Sequence, residues 1–170
     1  MIALTPIAPG TLVHPIGCDI PRLISELAPS VTGREANINL NRARLQRMFI
    51  RQYYPLHEFV LLVDSDVVVT ADVIHKLQDA WKPGTTPCAL TKQSAVGHVV
   101  TSCALIHRTD YEKVNYLDNV LQCQCLKLPS PFYVEGAVGY EVGKIAAQPI
   151  RHLATARGVT LTQTLGGVGG

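Results

Sequence analysis

Phe59-Val60-Leu61-Leu62-Val63 is an unbroken apolar run that stops at Asp64-Ser65-Asp66, after which valines resume at 67 to 69. A run this short, without polar residues at alternate positions, predicts a strand buried on both faces of a parallel sheet. That requirement points to an α/β fold, because helices must cover both faces. Asp64 and Asp66, spaced i, i+2, then fall where the strand gives way to a loop, the end at which open α/β sheets bind ligands. Two carboxylates placed there repel each other unless a divalent cation neutralises them. Mg²⁺ and Mn²⁺ suit the role, since hard oxygen ligands and substrate phosphates complete their shells.

The rest of the chain is consistent with one α/β domain built on a mostly parallel, Rossmann-like sheet flanked by helices. Ile2–Ile7 predicts a short strand, and Thr11–Ile16 a second extended segment limited by Pro15. Asp19 can cap a helix with Pro21 in its first turn, closed by Pro29 and Gly33. A longer helix is expected over about 39 to 53, stopped by Pro55, and another near 71 to 80. Lys82-Pro83-Gly84-Thr85-Thr86-Pro87 reads as a turn. Ala89-Leu90-Thr91 and Val99 to Ile106 predict strands, and Thr109 or Asp110 can cap a helix from Tyr111 to about Leu121. Pro129-Ser130-Pro131 precedes Val134-Glu135-Gly136, which reads as a loop, with Gly136 and Gly139 suited to a tight bend. The expected domain covers residues 1 to 160, and 161 to 170 is expected to be a flexible Gly-rich tail.

At 170 residues, 47% hydrophobic and 16% charged, the chain can bury a single sizeable core and is expected to fold. A net charge of +2 gives no case for nucleic acid or an anionic membrane as partner. Arg44, Arg47 and Arg51 follow the i, i+3, i+7 pattern of one helical face and, with Arg42, form a basic cluster. This cluster reads equally as a solvated face or as a phosphate or acceptor site. Five cysteines, at 18, 88, 103, 123 and 125, do not suggest a disulfide framework. Cys123-Gln124-Cys125 lacks the second pair expected of a zinc signature, so its cysteines are read as structural or incidental. His14, His57, His75, His98 and His107 show no metal-binding spacing. No signal peptide is recognisable and no apolar span is long enough for a transmembrane helix, which makes a cytoplasmic protein the expectation.

Taken together, the apolar strand, Asp64-Ser65-Asp66 and two flanking segments resemble the GT-A glycosyltransferases, which transfer a sugar from a nucleotide diphosphate donor. Asn41-Arg42-Ala43-Arg44 is similar to a segment that family-2 enzymes carry one helix before their Asp-x-Asp motif. Thr70–Leu77 resembles the helix that follows it, and Ser102–Arg108 with Tyr111–Val114 resembles the strand and helix before the acceptor site. The likeness covers roughly residues 37 to 145. It implies a nucleotide-sugar donor, an unknown acceptor, Mn²⁺ or Mg²⁺ as cofactor, and inversion at the anomeric centre. Ile2–Ile7 and Leu12–Ile16 lie too close in sequence for the parallel crossover that opens this fold, so a reduced GT-A fold is expected. Such a domain could cover its open edge by self-association.

The resemblance also assigns roles. Asp66 would bind the metal directly, with Asp64 holding it through water or contacting the ribose. Asn41 and Arg44 match nucleotide-contacting positions, and Asp19 stands for the acidic residue that contacts the base, although helix capping explains Asp19 equally well. Glu135 is the candidate general base; Phe132, Tyr133 and Val134 would desolvate it and raise its pKa. Asp110 is the reserve candidate, and His152 a further metal ligand. Two other classes compete with the transferase: a catalytically inactive GT-A-like binding or interaction domain, and a nucleotidyltransferase using the same cation–diphosphate physics. The nucleotidyltransferase would ordinarily show a Gly-rich phosphate loop, which Gly10 and Gly17 do not form. No P-loop or Gly-x-Ser-x-Gly elbow is present.

Overall fold

The run at 59 to 63 is a central strand, and its alternate side chains feed two separate cores. The structure is a computed structural model that describes residues 1–7, 30–34, 37–91, 97–141, 148–152 and 161–165. Its elements in chain order are β1 (Ile2–Ile7), β2 (Ser30–Arg34), α1 (Ile38–Gln52), β3 (Phe59–Val63), β4 (Val67–Val68), α2 (Ala71–Ala80), β5 (Thr86–Leu90), β6 (Cys103–His107), α3 (Arg108–Tyr111), a 3₁₀ turn (Gln124–Leu126), β7 (Pro131–Val138), β8 (Tyr140–Glu141), β9 (Gln148–His152) and β10 (Leu161–Leu165).

Six strands form one sheet in the order β2-β1-β3-β6-β5-β7. β1 pairs in parallel with both β2 and β3, and β5 pairs in parallel with β7. Only β6 is reversed, lying antiparallel to β3 and to β5. The result is the mostly parallel α/β sheet that the buried strand implies.

Leu61 and Val63 of β3 point to one face, where they meet Ala3, Leu105 and the α2 residues Val73, Ile74 and Leu77. Val60 and Leu62 point to the other, against Ile2, Leu4, Ile106 and the α1 residues Leu45 and Phe49. Helix α1 starts where the Asn37 side chain accepts hydrogen bonds from the amides of Asn39 and Leu40, at 3.0 and 3.1 Å. It anchors through Leu45 and Phe49 at i, i+4; Phe49 lies edge-on to Tyr111 with ring centroids 5.5 Å apart. Thr70 caps α2 by accepting from the Val73 amide.

Four expectations change. The parallel opening exists: β1 pairs with β2, and residues 8–29 between them exceed the roughly dozen residues that a crossover needs. The segment 11–16 and the helix after Asp19 lie outside the described residues. The helix expected from 111 to 121 ends at Tyr111, and its cap is His107 rather than Thr109 or Asp110. Beyond it, the Asn115 side chain accepts from the amides of Leu117 and Asp118, and Asn119 has φ 51°, so local side-chain bonding replaces the helical ladder. Val134-Glu135-Gly136 belongs to edge strand β7 rather than to a loop, with Gly136 at φ 76° near a break in register with β5. Finally, 161 to 165 is a strand, antiparallel to β9, instead of the start of a tail.

Gly33 shows how closely α1 seats on the β1–β2 pair. A Cβ there would meet Asn41 Oδ1 and lie 2.8 Å from Leu45 Cγ. Gly33→Ala is therefore expected to cost about 1–3 kcal/mol through overpacking. A urea midpoint unchanged from the parent would show that α1 can move aside.

Candidate functional site

β3 delivers Asp64 and Asp66 to its carboxyl end in a tight turn. The Asp64 amide donates to the Ser102 carbonyl at 2.8 Å, and the Val67 amide donates back to the Asp64 carbonyl at 3.1 Å. Short β4 then pairs with β8, which fixes the exit from the turn. The two carboxylates are not equivalent: Asp66 is 2% exposed, whereas the Asp64 side chain keeps 17%.

From α1, Arg42 reaches Asp64 with Nη2 3.4 Å from Oδ1, and its side chain is only 5% exposed. Nη1 of Arg42 also donates to Asn39 Oδ1 at 3.4 Å. Asn39 in turn donates to the carbonyls of Val120 and Gln122, tying α1 to the segment after α3. Behind the arginine, the Tyr116 hydroxyl donates to Gln124 Oε1 at 2.6 Å, and Gln124 Nε2 donates to Thr101 Oγ1 at 3.0 Å. Burial raises the pKa of both Tyr111 and Tyr116, with the Arg42 charge opposing the rise, so both phenols stay neutral donors. Arg42, Asp64, Tyr111 and Gln124 line a crevice of only about 10 Å³, roughly one water in size.

The chemistry of this set suits a hard divalent cation. Two carboxylates on one turn offer oxygen donors, and the low exposure of Asp66 raises the benefit of a nearby positive charge. Arg42 engages one oxygen of Asp64.

The other predicted residues are distributed differently. Asn41 is buried, and its amide donates to the Ile7 and Gly33 carbonyls at 3.2 and 2.9 Å, holding together the ends of β1 and β2. Arg44 lies on the exposed face of α1 with Arg47 and Arg51, as their spacing predicts. Two residues from Arg42 on a helix is about 200° of rotation, so Arg44 faces away from the side that carries Arg42. Glu135 is exposed, which removes the desolvation expected from Phe132, Tyr133 and Val134; those three are half-buried while the edge strand turns Glu135 outward. Asp110 sits in the first turn of α3. His152 ends β9, its side chain outside what is described, and Asp19 falls outside the described residues.

Sequence reasoning missed Arg42 as the partner of Asp64, as well as Tyr116 and Gln124. Arg42 was visible as part of the basic cluster, but its direction depends on the rotation of α1. The histidine spacing was also misleading: His98 lies against Cys123 and Cys125, from which 25 and 27 residues separate it.

No family model and no curated protein sequence matches the chain. Among solved structures it is similar to protein A197 from STIV, at 13% identity and a TM-score of 0.55 over 96% of this chain and 94% of that one. This likeness shows a shared fold. The chain is also similar to a glycosyltransferase involved in the glycosylation of the major capsid of PBCV-1, at 17% identity and a TM-score of 0.43 over 65% of this chain. It spans 61% of that protein's chain.

Proposed function

We propose that the chain is a metal-dependent glycosyltransferase that takes a sugar from a nucleotide diphosphate donor. The observation that carries this reading is the pair of unequal carboxylates at the carboxyl end of central strand β3, with a buried arginine on one of them. Asp66 and Asp64 would hold Mn²⁺ or Mg²⁺, which when bound supplies Lewis-acid neutralisation of the leaving diphosphate. Arg42 holds the Asp64 carboxylate in place and adds a second positive charge beside the diphosphate. Asn41 keeps the ends of β1 and β2 together next to the site. Glu135, open to solvent on the edge strand, takes the proton from the acceptor hydroxyl, and Asp110 is its substitute in that role. Asp19 would contact the nucleotide and His152 would add a metal ligand, whereas Arg44, turned to the opposite side of α1 from Arg42, takes no part in this reading.

The test is a titration of UDP, UDP-glucose and GDP-sugars into the full chain, with Mn²⁺ and with EDTA. The expected outcome is nucleotide binding that needs the metal. Equal binding in EDTA, or none in either condition, would remove the metal-dependent donor site.

One observation favours a second reading, a GT-A-like domain that binds without turnover. The crevice beside Asp64 is narrow and Arg42 forms part of its wall. Metal-dependent nucleotide binding without donor hydrolysis or transfer, across a panel of acceptors, would select it.

A further inference from the structure

The segment that follows α3 is held down with little regular structure. Residues 112–123 contain no helix or sheet strand, only turns and an isolated bridge residue at Gln122. The small apolar cluster beneath this region has Cys123 and Cys125 as its buried members, with Ile38 and Leu126 packed against them. Val114 and Tyr116 anchor the start of this segment in the core beneath α1, so it is the end at Cys123 and Cys125 that rests on the small cluster.

The same two cysteines meet a histidine. His98 Nδ1 lies 3.8 Å from Cys123 Sγ and 3.5 Å from Cys125 Sγ, and the three donor atoms all lie within 4.8 Å of one another. Both cysteines are thiols. All three residues are nearly sealed from solvent, at 7%, 2% and 6% exposure in chain order. For zinc with sulfur at ~2.3 Å and nitrogen at ~2.0–2.1 Å, tetrahedral geometry puts a nitrogen and a sulfur ligand about 3.5 Å apart. The observed separations lie at that edge for Cys125, 3.5 Å, and slightly beyond it for Cys123, 3.8 Å.

We propose that His98, Cys123 and Cys125 form a structural zinc site, distinct from the carboxylate site at Asp64 and Asp66. Zn²⁺ binding takes one proton from each thiol to solvent and leaves a complex of one dication with two thiolates. Its net charge is zero, which is what a buried site favours. Water or a further donor completes the tetrahedron. Sulfur and imidazole ligands select zinc over the magnesium or manganese that suit the carboxylates, so the two sites differ in metal by ligand softness.

The position of the site gives it a consequence. Cys123 and Cys125 flank Gln124, whose side chain bonds Thr101 and Tyr116 and lines the crevice with Arg42 and Asp64. His98 lies three residues before Thr101. A metal joining the two strands of chain would fix both ends of the Gln124–Thr101 contact and close a long loop, where a clip removes much unfolded-state entropy. The zinc would thus brace the wall of the carboxylate site without touching substrate. This inference stands on the cysteine–histidine geometry and does not depend on the transferase reading.

The full chain, stripped with chelator under reducing conditions, would be titrated with Zn²⁺ and separately with Co²⁺. About one equivalent of Zn²⁺ should bind, and Co²⁺ should give a thiolate-to-cobalt charge-transfer absorption with the visible bands of a tetrahedral ion. Cys125→Ser and His98→Gln should each weaken Zn²⁺ by on the order of a hundredfold or more, since loss even of an outer partner costs 10–100-fold. Cys88→Ala, in β5 outside the cluster, should bind as the parent does. Substoichiometric zinc, or cobalt without a thiolate band, would overturn the proposal from the parent chain alone, whatever the variants do. Zinc binding unaffected by Cys125→Ser would overturn it equally.

Discussion

Asp66→Asn is expected to lower metal-dependent nucleotide-sugar turnover by on the order of a hundredfold or more, the scale at which loss of one preorganised charge-stabilising group is felt. Asparagine matches the shape of aspartate, so the 2%-exposed position stays filled while the charge disappears. In EDTA the variant should be as stable as the parent or slightly more so, because one of two neighbouring negative charges is gone. That opposition of signs separates a metal ligand from a structural carboxylate. Mn²⁺-dependent turnover of UDP-glucose and a calorimetric titration of Mn²⁺ with UDP, beside a thermal melt in EDTA, read activity, binding and stability. Unchanged Mn²⁺-dependent binding in the variant would sink the assignment of Asp66. A melt that drops sharply in EDTA would instead make Asp66 a residue that holds the β3 turn.

Arg42→Met should destabilise the fold by about 3–5 kcal/mol, the usual consequence of removing one partner from a buried ion pair. The low end is expected, since Asp64 keeps 17% exposure and can recover some hydration. Methionine preserves much of the arginine stem, so the loss reports the charge rather than a cavity. Adding Asp64→Asn should restore part of the stability by removing the stranded carboxylate. Urea unfolding of the parent, both single variants and the double variant gives the coupling directly. A loss below about 1 kcal/mol for Arg42→Met would place the pair with the weak surface bridges. No recovery in the double variant would show that Arg42 acts through Asn39 and the 120–122 segment instead of through Asp64.

Much of the architecture was legible because burial leaves a linear imprint. The apolar run at 59 to 63, the amphipathic patterns before Pro55 and after Thr70, and the turn at Pro83-Gly84 each mark their element locally. The failures occurred where local side-chain bonding or a distant partner overrides the pattern. Tyr111 onward has helical composition, yet Asn115 and Asn119 divert the chain into turns. Val134-Glu135-Gly136 resembles a loop because of its glycine, although pairing with β5 makes it a strand. The parallel partner of β1 was sought too early in the chain; it is β2, beyond residues 8–29.

The two polar clusters divide along the same line. Asp64 and Asp66 could be found from sequence because a single strand end carries both, and i, i+2 spacing places them on one turn regardless of the rest of the fold. Arg42 could be seen only as one of four arginines, since nothing local determines which of them turns inward. The packing of Leu45 and Phe49 sets the rotation of α1, and that rotation directs Arg42 to Asp64 while Arg44 faces outward. His98, Cys123 and Cys125 were dismissed on spacing because their donors come from two irregular segments with no shared period. Linear pattern determined the strand, its carboxylates and the α/β class, each a consequence of side chains close in sequence sharing one environment. Tertiary packing alone decided which arginine pairs with Asp64 and which histidine meets the cysteines, because those contacts depend on helix rotation and loop path, which have no local signature.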